Sequence, residues 1–246
     1  VKVFDSVRNI IAVSSGKGGV GKSTVSANLA LALQQEGAKV GLLDADVYGP
    51  SQPTMLGITD RPYSVDGKTL EPMIAHGLQV ASVGVLIDPD QPMIWRGPLA
   101  VSALQQLLKQ TNWKDLDYLI VDMPPGTGDV PLTVFQSLPV SGIIIVTSPQ
   151  ELVAMIVEKA VNMAKKMNVP ILGLVENMSY LECPDCGKKI SVFGESQLDE
   201  VAKEYGIPVL AQIPIRPAIA KAVDEGTVEY VEADFLDDAV KAVKEA

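Results

Sequence analysis

Residues Gly16-Lys17-Gly18-Gly19-Val20-Gly21-Lys22-Ser23 fit the spacing G-x-x-x-x-G-K-S/T. They stand between an apolar run, Asn9 to Val13, and a helical pattern, Ser23 to Glu36, that ends at Gly37. This context constrains the fold strongly, because the motif works only as the turn from a strand into a helix whose first N–H groups point at an anion. Glycines let consecutive backbone N–H groups converge on phosphate oxygens without Cβ obstruction; Lys22 is placed to neutralise β- and γ-phosphate charge and Ser23 to ligate Mg2+. Thr24 adds a hydroxyl at the helix start. A merely flexible glycine turn would leave the flanking strand and helix unexplained. Lys17 is a second lysine inside the loop, where an ordinary phosphate loop has no mechanical need for one; a solvated side chain is the plain alternative.

The rest of the chain repeats the strand-then-helix alternation. Apolar runs predict strands at Lys39 to Asp44, Leu78 to Ser82, Tyr118 to Asp122, Gly142 to Thr147, Ile171 to Glu176 and Val209 to Ile213. Helices are expected between them, including Leu99 to Lys109 after Pro98 and Glu151 to Met167. The pattern predicts an α/β fold, a mostly parallel twisted sheet with helices on both faces. Neither a linker nor a repeat divides the 246 residues, so one domain is expected, with a loop-rich insertion near residues 49–98 and a cysteine segment near 177–193.

Charge narrows the partners. Twenty basic against thirty acidic residues give a net charge of −10, which argues against nucleic acid or an anionic membrane as partner. No apolar run approaches the ~20 residues that span a bilayer, and nothing near Val1 resembles a signal peptide. A cytoplasmic location is expected. His76 is the lone histidine, so neither a histidine metal site nor a Ser-His-Asp triad is expected.

Two acidic loops follow strands and should face the same crevice as the phosphate loop, since ligands of open α/β sheets bind at the carboxyl ends of strands. One is Asp44-Ala45-Asp46, leading into Val47-Tyr48-Gly49-Pro50-Ser51; the other is Asp122-Met123-Pro124-Pro125-Gly126-Thr127-Gly128-Asp129. Any one such Asp is commonly only a turn or helix cap. Together with the phosphate loop they divide into roles. Asp122 is the candidate Mg2+ carboxylate, directly or through water; Asp46 is the candidate to orient or deprotonate the attacking water; Asp44 would support the cation or its waters. Gly126 and Gly128 would let the second loop move when the γ-phosphate leaves, with Asp129 carrying the movement onward.

Cys183-Pro184-Asp185-Cys186-Gly187 is a C-x-x-C pair in turn-rich sequence. A thioredoxin-type redox pair would open a helix after a strand. A zinc knuckle fits the local text, but zinc takes four ligands and one chain supplies two thiolates. A symmetric homodimer would supply four, suited to Zn2+ or a 4Fe-4S cluster, and the spacing does not choose between them.

Lys17 to Thr24 resembles the deviant Walker A motif of the group containing MinD, ParA-type partition ATPases and the nitrogenase iron protein. In that group the extra lysine reaches the partner's phosphates across a nucleotide-sandwich homodimer, a role that falls to Lys17 here. With Asp44 to Ser51, Trp95-Arg96-Gly97-Pro98, Asp122 to Asp129, Glu176-Asn177-Met178-Ser179 and the cysteine pair, the match extends in order from about Ile10 to about Gly226. Over that span the chain resembles the Mrp/ApbC family of iron-sulfur cluster carriers. The resemblance implies a P-loop ATPase, homodimeric, that holds a labile 4Fe-4S cluster on paired C-x-x-C motifs and delivers it to recipient apo-proteins. Asn177 aligns with the family's adenine-contacting Asn, and Pro214-Ile215-Arg216-Pro217 lies where the base is enclosed; a polar cap and a turn are the plain alternatives for these. A MinD- or ParA-like positioning ATPase and a zinc-stapled interaction protein are the rival readings. The former gives the cysteine pair no purpose, and the acidic segment Asp234 to Ala246 would be repelled by anionic lipid.

Overall fold

The computed structural model describes residues 4–86, 97–149 and 152–246. Trp95, Arg96 and Glu151 lie outside the described residues. The chain builds an eight-stranded sheet in the order β10-β7-β6-β1-β5-β2-β4-β3. Its strands are β1 (Val7–Ser15), β2 (Val40–Asp44), β3 (Met73–Ala75), β4 (Leu78–Ser82), β5 (Leu116–Asp122), β6 (Gly142–Thr147), β7 (Ile171–Glu176) and β10 (Val209–Gln212). All neighbours are parallel except β3, which returns antiparallel on β4 as an edge. A separate two-stranded hairpin, β8 (Leu181–Glu182) with β9 (Lys189–Ile190), carries the cysteines at its turn.

Parallel strands buried on both faces read as continuous apolar runs, and Ile143 to Val146 in β6 is such a run, fully enclosed. Side chains alternate between two cores. On one face Ile11, Val13 and Val146 meet Leu29 and Leu33 of α1 (Lys22–Gln35) and Val240 and Val243 of the C-terminal helix, Asp237–Lys244. On the other, Ile10, Ala12 and Ile145 meet Leu104, Val134, Val157 and Val201 from helices Gly97–Gln110, Asp129–Ser137, Val153–Met167 and Leu198–Tyr205. Each fully buried Leu or Ile contributes about 1.5–3 kcal/mol. Gln52–Met55 and Pro217–Glu225 complete the helices as α2 and α7; the four helices of the second face are α3 to α6, and the C-terminal one is α8. Among the described residues no helix is long and apolar enough to cross a membrane.

The strand boundaries differ slightly from those expected. Val7 and Asn9 pair with Leu116 and Tyr118, which lengthens β1 and β5 toward their N-termini. The functional loops leave the carboxyl ends of β1, β2, β5 and β7. β1 sits at the centre, with β5 on one side and β6 on the other, so the phosphate loop opens into the crevice where the chain crosses from one half of the sheet to the other.

Candidate functional site

The phosphate loop leaves β1 at Ser15 and enters α1 at Lys22. Lys17, Gly18 and Gly19 are exposed, whereas Val20 and Lys22 are buried. Gly21 has a left-handed backbone, φ 81°, which favours glycine, and a Cβ there would fall 2.1 Å from Asn177 Nδ2 and push that amide off the loop. The Asn177 amide donates to Val20 O at 2.9 Å, fastening the end of β7 to the loop. Ser15 Oγ donates to Lys17 O at 2.9 Å and sets the loop's entry.

Lys22 Nζ reaches Asp122 Oδ1 at 2.5 Å and lies 3.6 Å from Asp46 Oδ2. Ser26 Oγ also donates to Asp122 Oδ1, at 3.3 Å, and Gln52 Nε2 donates to Asp122 Oδ2 and to Ser23 O, both at 2.9 Å. Gln52 is fully buried, and among the described residues its Oε1 has no hydrogen-bond partner. Asp46 Oδ1 accepts from Tyr48 N and Gly49 N, so this carboxylate caps its own loop with one oxygen and faces Lys22 with the other. Asp44 is turned toward its own surroundings: Oδ1 accepts from Asp46 N, and Oδ2 from Ser51 N, Gln52 N and Ser82 Oγ. Complete burial, reinforced by the negative charge of Asp122, raises the Asp44 carboxyl to about 7 against the bonds it accepts.

The loops are joined through backbone. Ala45 N donates to Asp122 O, Met123 N to Val13 O and Gly126 N to Ser15 O, so the second acidic loop is hydrogen-bonded to the strand that carries the phosphate loop. Asp129 is exposed in the first turn of α4, where a carboxylate complements the helix dipole. Lys17 borders a cavity of about 340 Å3 with Gly16, Thr127, Leu152, Met155, Ile156 and Lys159, and two apolar members of that rim, Leu152 and Met155, are exposed.

The cysteines form a compact knuckle. Cys183 N donates to Lys188 O and Gly187 N to Cys183 O, closing the hairpin turn. The amides of Asp185 and Cys186 and the Cys186 thiol stabilise the Cys183 sulfur as an anion, holding this thiol below its ordinary range. The pair opens no helix, unlike a thioredoxin-type redox site. Both thiols are free, and among the described residues no group of three or more His, Cys, Asp or Glu side chains is arranged to hold a metal. Pro214 and Arg216 lie beside this hairpin, lining with Cys183 and Pro184 a cavity of about 590 Å3. Arg216 stacks over Phe235 and lies 3.9 Å from Asp234. Asn177 is bonded to the phosphate loop at Val20 O, while Glu176 O and Ser179 N on either side of it bond to Ile213, just before Pro214.

Gln52, Ser26 and Ser82 are site residues that the sequence does not single out, and Glu176 is named there only within a motif, with no role. Gln52 and Ser82 reach the carboxylates only through tertiary packing; Ser26 sits one helical turn after Lys22, a spacing that could have flagged it.

A sequence model of the ParA family described as NUBPL iron-transfer P-loop NTPase matches residues 6–246. The chain is 53% identical over 226 residues to an iron-sulfur cluster carrier protein of Haemophilus influenzae, covering 92% of this chain but 61% of that protein. It is 44% identical over 240 residues to the iron-sulfur cluster carrier protein of Clostridium perfringens, covering 94% of this chain and 84% of that one. A nucleotide-binding protein of Archaeoglobus fulgidus, solved in complex with ADP, superposes with a TM-score of 0.86 at 42% identity over 96% of this chain and 93% of its own. The MinD protein of Pyrococcus horikoshii, at 23% identity and a TM-score of 0.65 over 97% and 95% of the two chains, shares the fold.

Proposed function

Because the chain belongs to the ParA family of NUBPL iron-transfer P-loop NTPases, we propose that it is an ATP-hydrolysing carrier that holds a 4Fe-4S cluster between two copies of itself and passes it to apo-proteins. The observation that carries this reading is the two-thiol knuckle: Cys183 and Cys186 are free, with no third ligand beside them among the described residues. A second copy related by a two-fold axis completes a four-thiolate site. Free thiols also suit a reducing cytoplasm.

In the nucleotide site the loop amides and Lys22 bind the β- and γ-phosphates of ATP. Asp46 keeps one oxygen on its own loop and turns the other toward Lys22, a position from which it orients a water on the γ-phosphorus. The water oxygen bonds to phosphorus as the bond to the β-phosphate oxygen breaks, the water's proton passes to a phosphate oxygen, and ADP and phosphate leave. Lys17, exposed at the loop's edge, adds positive charge to the second copy's phosphates as charge develops. Ser23 and Asp122 offer hard oxygen donors that fit Mg2+, which supplies further neutralisation of phosphate charge when bound. Both Asp122 oxygens already take protein donors, so Asp122 acts on a cation through water.

The test is anaerobic reconstitution with iron and sulfide analysis and sedimentation. A bridging cluster gives about 2 Fe per chain on a dimer, and Cys183→Ala loses cluster and metal-dependent dimerisation together while retaining ATP binding. A cluster-bearing monomer, or zinc at one ion per two chains with no iron uptake, would overturn the carrier reading.

A further inference from the structure

The last residue of β7 and the one after it serve two different functional elements. Asn177 is bonded to the phosphate loop at Val20 O. Glu176, fully buried, accepts from Ser179 Oγ and Ser196 Oγ, each at 2.6 Å. Ser179 lies just before the cysteine hairpin and Ser196 just after it, so one carboxylate gathers both stems of the segment that carries Cys183 and Cys186. The oxygen separations are those of strong hydroxyl-to-carboxylate bonds.

The remaining attachments of the segment are sparse. On the first stem, Ser179 N donates to Ile213 O and Ile215 N to Tyr180 O. On the second, residues 186–197 are all exposed, and among the described residues the Ser196 hydroxyl is the hydrogen bond that ties this stretch to the sheet. The same hydroxyl accepts from Leu198 N at the start of α6, which fixes where the stem rejoins the body.

We infer that Glu176 is a positioning residue that couples the phosphate loop to the cysteine hairpin, an inference that rests on the carrier reading for its purpose but not for its test. Glu176 and Asn177 share one planar peptide unit, which does not stretch or twist at low cost. A change in the phosphate loop pulls, through Asn177, on the peptide it shares with Glu176, which Asn177 N to Thr147 O and Ile213 N to Glu176 O tie to both neighbouring strands, and both hairpin stems are bonded to Glu176 through the two serines. Linkage makes the effect reciprocal: whatever factor nucleotide imposes on metal affinity at the hairpin, metal imposes on nucleotide affinity.

Hydrogen exchange of the full chain, with and without a non-hydrolysable ATP analogue, tests the coupling without iron. In the wild type the amides of residues 181–197 change exchange rate on nucleotide binding by about 5-fold or more, the range of linked sites. Ser196→Ala binds the analogue with wild-type affinity but loses that response, and Ser196→Thr, which keeps the hydroxyl, regains it. A wild-type hairpin indifferent to nucleotide would overturn the inference, as would a Ser196→Ala protein that keeps the full response or no longer binds nucleotide. In iron-loaded protein, the ratio of cluster-transfer rates with and without ATP falls toward one in Ser196→Ala. Failure of the wild type to take up a cluster would count against the carrier reading alone, because the exchange response is read in its absence.

Discussion

Lys22 Nζ and Asp122 Oδ1 stand 2.5 Å apart at the heart of the site, the lysine from the first residue of α1 and the carboxylate from the last residue of β5. Both are buried. The pair joins the phosphate loop to the neighbouring strand, so its two members depend on each other for stability as well as for chemistry.

Lys22→Ala therefore abolishes ATP binding and also destabilises the protein by about 3–5 kcal/mol, because it leaves Asp122 as a buried carboxylate without its cation. Asp122→Asn on the Lys22→Ala background recovers part of that loss. Urea unfolding of both single variants and the double closes the cycle. Strictly additive losses would show that the pair carries no interaction energy.

Lys17→Ala behaves differently. Lys17 is exposed at the edge of the loop, whereas Lys22 is buried, so ATP affinity stays within about 3-fold while turnover falls by about 10³ or more, as for an added cation acting in the transition state. Steady-state hydrolysis against protein concentration reads this. Undiminished hydrolysis removes any role across a dimer.

Asp46→Asn and Asp122→Asn separate water from cation. Asparagine at 46 keeps the Oδ1 acceptor for Tyr48 N and Gly49 N, so the loop holds its shape and hydrolysis falls about 100-fold with little change in ATP affinity. The Asp122 variant instead shifts the Mg2+ concentration needed for half-maximal activity upward. Matching Mg2+ titration curves for the two variants would contradict this division.

Much of this was legible in the sequence, for physical reasons that vary by residue. The glycine loop and the aspartates at strand ends are local patterns, readable wherever a strand feeds a turn. β6 declared itself because Ile143 to Val146 is enclosed on both faces. The edge strand β3 did not: it has three residues, and Ile74 is exposed. The hairpin strands β8 and β9 are two residues each, too short to show a periodicity, so only the turn between them was visible. The roles of Gln52 and Glu176 were hidden more deeply, since a buried Gln or Glu looks like any surface residue until folding brings Ser23, Asp122, Ser179 and Ser196 to it.

Asp44 gives the protein without nucleotide a stability that declines as pH rises from about 4 to 7. Its carboxyl is raised to about 7 in the fold by burial and by Asp122, from an ordinary value of 3.8. Between these values the folded chain holds a proton that the unfolded chain has released, so unfolding becomes easier with increasing pH. Asp44→Asn removes that slope, whatever constant offset its altered hydrogen bonds introduce. Thermal unfolding across this range measures it, and an unchanged slope in the variant would assign the effect elsewhere.

The central place of β1 has a consequence for the chain during its synthesis. The phosphate loop ends at Ser23, yet the strands that flank β1 are residues 116–122 and 142–147. A ribosome adding ~5–20 residues per second needs roughly 5–20 s to pass from the loop to its first neighbour. Throughout that interval β1 has no partner and Lys22 has no Asp122. The buried ion pair that holds Lys22 thus forms only after residue 122 has been made, long after the loop itself.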